Sequence, residues 1–381
     1  MRKILLAANT DWYLYNFRLS LAKYMREKGY EIVLVSPSGR FVPKLQQEGF
    51  KWIEWGVGRQ TLAPWTEVQA ISKLVGIYSR ERPDLVHNFT VKPVLYGSFA
   101  ARLAGVSGIV SSVTGLGYVF LRQEAKPRLI RQVVKTLYRL AFSPNRSAVI
   151  FENETDRQYF IREGLVPAER TCLIAGVGID TDHFTLLPEP QGLPVIVLPA
   201  RMLWDKGVGV LVEAARILHA KAQVRVALVG EPDMGNPAAV EQAVLKSWSE
   251  EGVIEWWGWQ EDMREVYKQS HIVTLPSLGE GVPTALLEAA ACGRPIVATD
   301  VAGCRDVVVH GRNGLLVPIN DPPALSEAFE RLILDPELRA RMGEAGRQIV
   351  LEKYTSSRVN AATLEVYDEL LQANVLSGVK G

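Results

Sequence analysis

Short apolar runs alternate with longer amphipathic stretches along nearly the whole chain. In the first half the runs are KILLAA (3–8), EIVLVS (31–36), KWIEWG (51–56), LVHNF (85–89), GIVSSV (108–113) and AVIFEN (148–153). In the second half they are VIVLPA (195–200), VRVALVG (224–230), GVIEWWG (252–258), HIVTLPS (271–277), PIVATD (295–300) and GLLVP (314–318). Most are apolar throughout rather than alternating, which predicts strands buried on both faces of a sheet. Between them, stretches such as RLSLAKYMREKG and GVLVEAARILHAKA repeat at the helical period. Alternating strands and helices predict βαβ units and parallel sheets. Two sets of six predict two doubly wound α/β domains, each binding ligands at the carboxyl ends of its strands, with a cleft there.

The boundary falls near Gly176-Val177-Gly178, which divides the chain into 1–175 and 176–355. A Pro/Gly-bearing linker, LPEPQGLP (187–194), follows it. The last segment, 356–381, reads as a helix with no strand after it. The chain opens on only a brief apolar run after Met1-Arg2-Lys3, unlike a secretory signal. The longest uncharged run, Leu103 to Leu121, carries four glycines and reads as buried strand and loop rather than a membrane span.

Composition adds two points. Three cysteines without a C-x-x-C pattern fit a reducing cytosol and small core residues. Charge is divided: residues 1–172 carry +11 and the remainder −10. A basic first half suits an anionic ligand or surface, and it equally suits attraction between two halves of opposite sign. Nothing in this pattern calls for nucleic acid.

The chemistry concentrates in two segments of the second half. GEGVPTALLEAAACG (279–293) follows a predicted strand. Its glycine turn and helix, with Pro283 at the first helical position, offer free N–H groups and a helix dipole to an anion such as phosphate. Thr284 adds a hydroxyl. Glu288 lies about 7 Å farther along that helix, among Ala and Leu. A carboxylate there needs a partner, which a ribose diol or a structural cation would supply. Glu280, on the loop, reads as a handle for a second polyol or as a solvated acid. In VLPARMLWDKGVGVLVEA (197–214), Arg201 and Lys206 follow a strand end. Two fixed cations can hold a diphosphate and stabilise a leaving group without metal, or can be ordinary surface charges.

The run E-G-x-P-x-x-x-L-E-A-x-A-x-G-x-P-I-V-A-T-D, preceded by P-A-R-x-x-x-x-K-G, resembles the retaining glycosyltransferases of family 4, with the GT-B architecture. The resemblance covers nearly all of the second half. It implies that Glu280 contacts the donor sugar, that Glu288 binds the nucleotide ribose, and that Arg201 and Lys206 hold the diphosphate. It places Gly281, Val282, Pro283, Thr284 and Ala285 near sugar hydroxyls and phosphate, and the base by Gly230 and Trp259. The final helix, 356–381, is implied to pack back on the first domain.

The first half matches less uniformly. NTDWYLYN stands where many members have a glycine-rich loop, and Thr114 in SSVTGLG where many have a histidine. Asn16, Thr114 and Gly115 are the acceptor-side candidates. His87, in DLVHNFTVKP, is a catalytic candidate at a strand end, with a hydrogen-bonded core residue as the other reading. HNFTVKP with TGLG resembles members that extend undecaprenyl-diphosphate-linked sugars in surface-glycan or protein-glycan assembly.

Asp180-Thr181-Asp182 is a D-x-D, the metal motif of another glycosyltransferase architecture. Here it falls at the domain junction, so a linker role is expected and no metal or cofactor is. In KPRLIRQVVKTLYRLAF (126–142), Arg128, Arg131, Lys135 and Arg139 recur at helical spacing opposite Ile130, Val133, Val134, Leu137 and Tyr138. This predicts an amphipathic helix that rests on an anionic membrane or simply packs with a solvated basic face. The combined expectation is a cytosolic, retaining, metal-independent glycosyltransferase, with peripheral contact on the inner face of the plasma membrane. It moves a hexose or N-acetylhexosamine from a UDP-sugar to a glycan or polyprenyl-diphosphate-linked sugar. A UDP-sugar 2-epimerase of the same architecture and a non-catalytic nucleotide-sugar-binding protein are the alternatives.

Overall fold

The computed structural model describes residues 1–56, 64–115, 125–143 and 146–378. The chain divides into two compact units, Met1–Val177 with Ser356–Gly381, and Gly178–Thr355. The first is built on strands β1 (Lys3–Ala7), β2 (Glu31–Ser36), β3 (Lys51–Glu54), β4 (Leu85–Phe89), β5 (Gly108–Val113), β6 (Ser147–Phe151) and β7 (Thr171–Leu173). They form one parallel sheet in the order β3-β2-β1-β4-β5-β6-β7. The second holds β8 (Val195–Pro199), β9 (Arg225–Val229), β10 (Glu255–Gly258), β11 (Ile272–Leu275), β12 (Ile296–Thr299) and β13 (Gly314–Val317). Its parallel order is β10-β9-β8-β11-β12-β13.

The uniformly apolar runs have the cause the pattern implied. Side chains of a strand point alternately to its two faces, and here both faces are covered. Ile4 and Leu6 of β1 enter a core with Phe89, Tyr367 and Leu371. Leu5 and Ala7 enter the opposite core, with Trp55, Leu74 and Tyr78. The final helix, Ser356–Gly378, supplies part of the first of these layers. It is tied there by Tyr30 Oη donating to Asp368 (2.7 Å) and Asn360 Nδ2 donating to Ser20 Oγ (3.0 Å).

Two features of the first unit depart from the sequence pattern. The edge strand β7 is only three residues long and partly exposed, so no apolar run marks it. The segment after β1 is a short helix, Asp11–Tyr13, a π-helical turn, Leu14–Arg18, and then a helix over Leu19–Glu27. Thr10 Oγ1 caps its start by accepting from the Tyr13 amide (3.1 Å).

Candidate active site

Both sheets reverse their strand order, between β1 and β4 and between β8 and β11, and the carboxyl ends of such neighbours are where doubly wound folds bind ligands. In the second unit these two ends carry the two segments singled out above. Arg201 and Lys206 follow β8. Glu280 lies in the loop after β11, and Glu288 in the helix Thr284–Ala291 that the loop leads into.

The two loops are locked together. The Leu278 amide donates to the Asp205 carbonyl (2.9 Å), and so does Ser277 Oγ (3.1 Å). Gly207 has φ +74°, and a Cβ there would fall 2.0 Å from the Pro276 carbonyl oxygen. Only glycine allows both that backbone conformation and that approach. The result is a direct contact: Lys206 Nζ lies 2.6 Å from Glu280 Oε1, with both side chains largely shielded. Arg201 is half exposed and its Nη1 donates to Asp233 Oδ2 (2.7 Å). Asp233, in the loop after β9, carried no sequence signal.

The helix itself begins one residue later than expected. Pro283 is its N-cap rather than its first residue, and its carbonyl accepts from Leu286 (3.0 Å) and Leu287 (3.3 Å). With no side-chain cap, the Thr284 and Ala285 amides have no partner inside the helix, which is the arrangement that favours an anion at this end. The preceding turn is pressed by the helix Ala302–Val307: a Cβ on Gly303 would lie 1.3 Å from the Gly281 carbonyl oxygen. Val282 and Pro283 are buried beneath it.

Glu288 accepts from Tyr267 Oη (2.9 Å), which also donates to the Ala285 carbonyl (3.1 Å). Part of the side chain reaches the surface, but protein surrounds the carboxyl on most sides. That burial pushes its pKa up to about 7; the Tyr267 hydroxyl opposes the shift and the Asp262 charge adds to it. No cation is bonded to it among the described residues, so the partner is a phenol rather than the structural salt bridge held open above. Gly230 has φ +134° and approaches the Ala200 carbonyl, where a Cβ would sit 2.1 Å away. Trp256 Nε1 donates to the Gly230 carbonyl (2.8 Å), while Trp259 is 39% exposed.

The first unit treats its candidates differently. His87 is 1% exposed, and both ring nitrogens are taken, Nδ1 by Tyr367 Oη (2.6 Å) and Nε2 by Ser112 Oγ (2.7 Å). Burial, and then the Arg18 charge, hold its pKa well below the usual histidine value. His87 is therefore corrected from a catalytic candidate to a neutral, hydrogen-bonded core residue. Its side chain points to the face of the sheet covered by the final helix, which carries Tyr367. The π turn buries Arg18, whose Nη2 donates to Tyr13 Oη (2.7 Å) and lies 3.6 Å from Glu152. Thr114 follows β5. Gly115 has φ +114°. Asn16 is exposed and donates to the Trp12 carbonyl (2.9 Å).

Two other segments resolve into local roles. Asp180 Oδ1 accepts from the amides of Asp182 (3.0 Å) and His183 (3.1 Å), so the D-x-D forms a turn on itself. The basic helix forms over Ala125–Ala141, but its face is not simply solvated. Lys135 is 8% exposed and pairs with Glu163 (2.5 Å), and Arg139 donates to the carbonyls of Glu163 (2.8 Å) and Gly164 (3.2 Å). Those carbonyls end the helix Glu154–Arg162, where cations are favourable. Val133 and Leu140, by contrast, are 54% and 48% exposed. The side chains of Arg128 and Ile130 lie outside the described residues. Among the described residues no helix is long and apolar enough to cross a membrane.

Comparison with known proteins gives the family and the fold. Residues 193–335 match the family model "Glycosyl transferases group 1", and residues 3–153 match "Glycosyl transferase 4-like". The chain is 28% identical, over 94% of its length and 96% of the relative's, to the N,N'-diacetylbacillosaminyl-diphospho-undecaprenol alpha-1,3-N-acetylgalactosaminyltransferase of Campylobacter jejuni. It is 25% identical, over 74% and 75%, to the UDP-Gal:alpha-D-GlcNAc-diphosphoundecaprenol alpha-1,3-galactosyltransferase of Escherichia coli. Among solved structures, Anabaena HepE in complex with UDP and glucose superposes with a TM-score of 0.78 at 20% identity, covering 97% of this chain and all of that one. The sucrose-phosphate synthase of Thermosynechococcus elongatus superposes with a TM-score of 0.82 at 18% identity, over 98% and 100%. These structural likenesses speak for the fold alone.

Proposed function

Since the chain belongs to the group 1, family-4-like glycosyltransferases, we propose that it transfers a hexose or N-acetylhexosamine from a UDP-sugar to an undecaprenyl-diphosphate-linked sugar, with retention and without a metal ion. The names of the Campylobacter and Escherichia coli relatives support the acceptor class, and the second of them supports the donor. The observation that carries the donor reading is the placement of Arg201, Lys206, Glu280 and Glu288 on the paired ends of β8 and β11, with Lys206 and Glu280 in contact.

In this reading the second unit holds the donor. The uncapped amides of Thr284 and Ala285, with Arg201 and Lys206, bind the diphosphate and stabilise the charge that develops on it as it leaves. The Glu288 carboxylate accepts the two ribose hydroxyls. Diphosphate binding draws Lys206 from Glu280, and Glu280 then orients the sugar. The first unit holds the acceptor, with Asn16, Thr114 and Gly115 on that side. The acceptor hydroxyl oxygen bonds to the anomeric carbon on the face from which the diphosphate departs. The carbon–oxygen bond to phosphate breaks, and the departing phosphate oxygen takes the hydroxyl proton, so no protein base is needed. His87, buried and doubly bonded, has no part in the step.

Membrane contact in this reading runs through the exposed Val133 and Leu140 of the helix within 126–142, with Lys135 and Arg139 engaged inside the unit. The functional test is donor turnover with synthetic polyprenyl-diphosphate sugars in the presence of a chelator. Transfer with an unchanged anomeric configuration supports the reading. Release of free sugar at the same rate with and without acceptor sinks it.

A further inference from the structure

The carboxylate that meets Arg201 is Asp233, which no motif singled out, in the segment GEPDMGNPAAV (230–240). This loop is stitched along the loop after β8. The Met202 amide donates to the Glu231 carbonyl (3.0 Å), the Val240 amide to the Met202 carbonyl (2.9 Å), and the Trp204 amide to the Ala238 carbonyl (2.8 Å). Leu203 and Ala239 form an antiparallel bridge. Inside the loop, the Asn236 amide donates to the Asp233 carbonyl (2.7 Å), and the Asn236 side-chain oxygen accepts from Ala238 (2.9 Å). Asp233 therefore stands on a backbone fixed from both sides.

Its side chain is 16% exposed, against 50% for the Arg201 it binds. An arginine half in solvent loses rotamer entropy when it engages a ligand, and a fixed acceptor on one edge of its planar fork removes much of that loss in advance. Asp233 occupies a hydrogen on Nη1 and leaves Nε and Nη2 for a ligand. The pairing also explains why the loop after β9 is threaded so closely against the one after β8, with glycine at position 230 where a Cβ would meet the Ala200 carbonyl.

We propose that Asp233 is a positioning residue for donor binding, holding Arg201 with its free donors aimed at the diphosphate. The proposal rests on the reading of Arg201 as a phosphate-binding cation. It is tested on the full chain by calorimetric titration with UDP, in a double-mutant cycle with melting curves as the folding control. Asp233→Ala should weaken UDP about tenfold, and Asp233→Asn, which keeps an acceptor oxygen, should stay within about threefold of wild type. In an Arg201→Ala background, Asp233→Ala should change nothing further. Unchanged or tighter UDP binding by Asp233→Ala would overturn the proposal, as would a loss that persists without Arg201. If Arg201→Ala binds UDP as wild type does, the phosphate reading itself fails, and that outcome is distinct from a failure of Asp233 alone.

Discussion

The two sheets share a topology and differ in what they place at the point where strand order reverses. In the second unit, the residues beyond β8 and β11 are charged, partly accessible and paired across two loops: Lys206 with Glu280, and Arg201 with Asp233 of the neighbouring loop. In the first, two polar residues near that point are consumed by the core. His87 is closed between Tyr367 and Ser112, and Arg18 lies over the Phe89 ring at 4.4 Å. A common fold thus gives one end whose cations can engage a ligand and another that closes His87 and Arg18 into the core. Function follows the loop residues, not the sheet.

The largest effect is expected where that difference is sharpest. Lys206→Ala should remove on the order of 3 kcal/mol of transition-state stabilisation, about a hundredfold in kcat, with the fold retained. His87→Phe should do the reverse, leaving turnover per folded molecule near wild type. Comparing the two by steady-state kinetics tests whether the ends truly differ.

Glu288 offers the next contrast, through pH. Its acid form persists to about 7, and in the proposed reading only the ionised carboxylate can accept both ribose hydroxyls. UDP should bind about tenfold more tightly at pH 8 than at pH 6, since each unit below the pKa costs a factor of ten in the ionised fraction. Glu288→Gln should bind weakly and without that dependence. A wild-type affinity flat across the range would remove Glu288 from the ribose.

His87→Phe should cost about 1–3 kcal/mol of stability, because Tyr367 and Ser112 lose a buried partner. The pH sign is also determined. The folded pKa lies below the ordinary 6.5, so the unfolded chain binds more protons as pH falls through 6.5. This part of the stability is fully present above 6.5 and declines below it, down to the folded pKa. Denaturant midpoints at pH 7.5 and 5.5 should show a smaller drop in His87→Phe than in wild type.

The smallest effect concerns the membrane. Val133→Ser with Leu140→Ser should lower partition to vesicles containing anionic lipid by a fewfold, from the loss of buried apolar area. Equal partition would leave the helix as a packing element.

Most of the fold was legible because parallel sheets need strands that are apolar on both faces, and most of these strands leave a largely apolar run. The strand that left no such run, β7, is a three-residue edge strand with little to bury. The donor-side segments were legible because strand end, glycine turn and helix start are contiguous in sequence. What stayed hidden is nonlocal. A lone histidine in LVHNF does not reveal which side of the sheet it faces. The helical spacing of Lys135 and Arg139 does not reveal that the carbonyl end of another helix lies against them. Asp233 reaches Arg201 only because two loops run side by side.

The central claim is that a diphosphate draws Lys206 from Glu280 and engages the Arg201 donors that Asp233 leaves free. Its most direct test is calorimetric titration of UDP, with a chelator present, into the wild type and the Arg201→Ala/Lys206→Ala double variant. Binding by the wild type that is lost in a folded double variant is the predicted result. A double variant that binds UDP as tightly as the wild type would contradict the account.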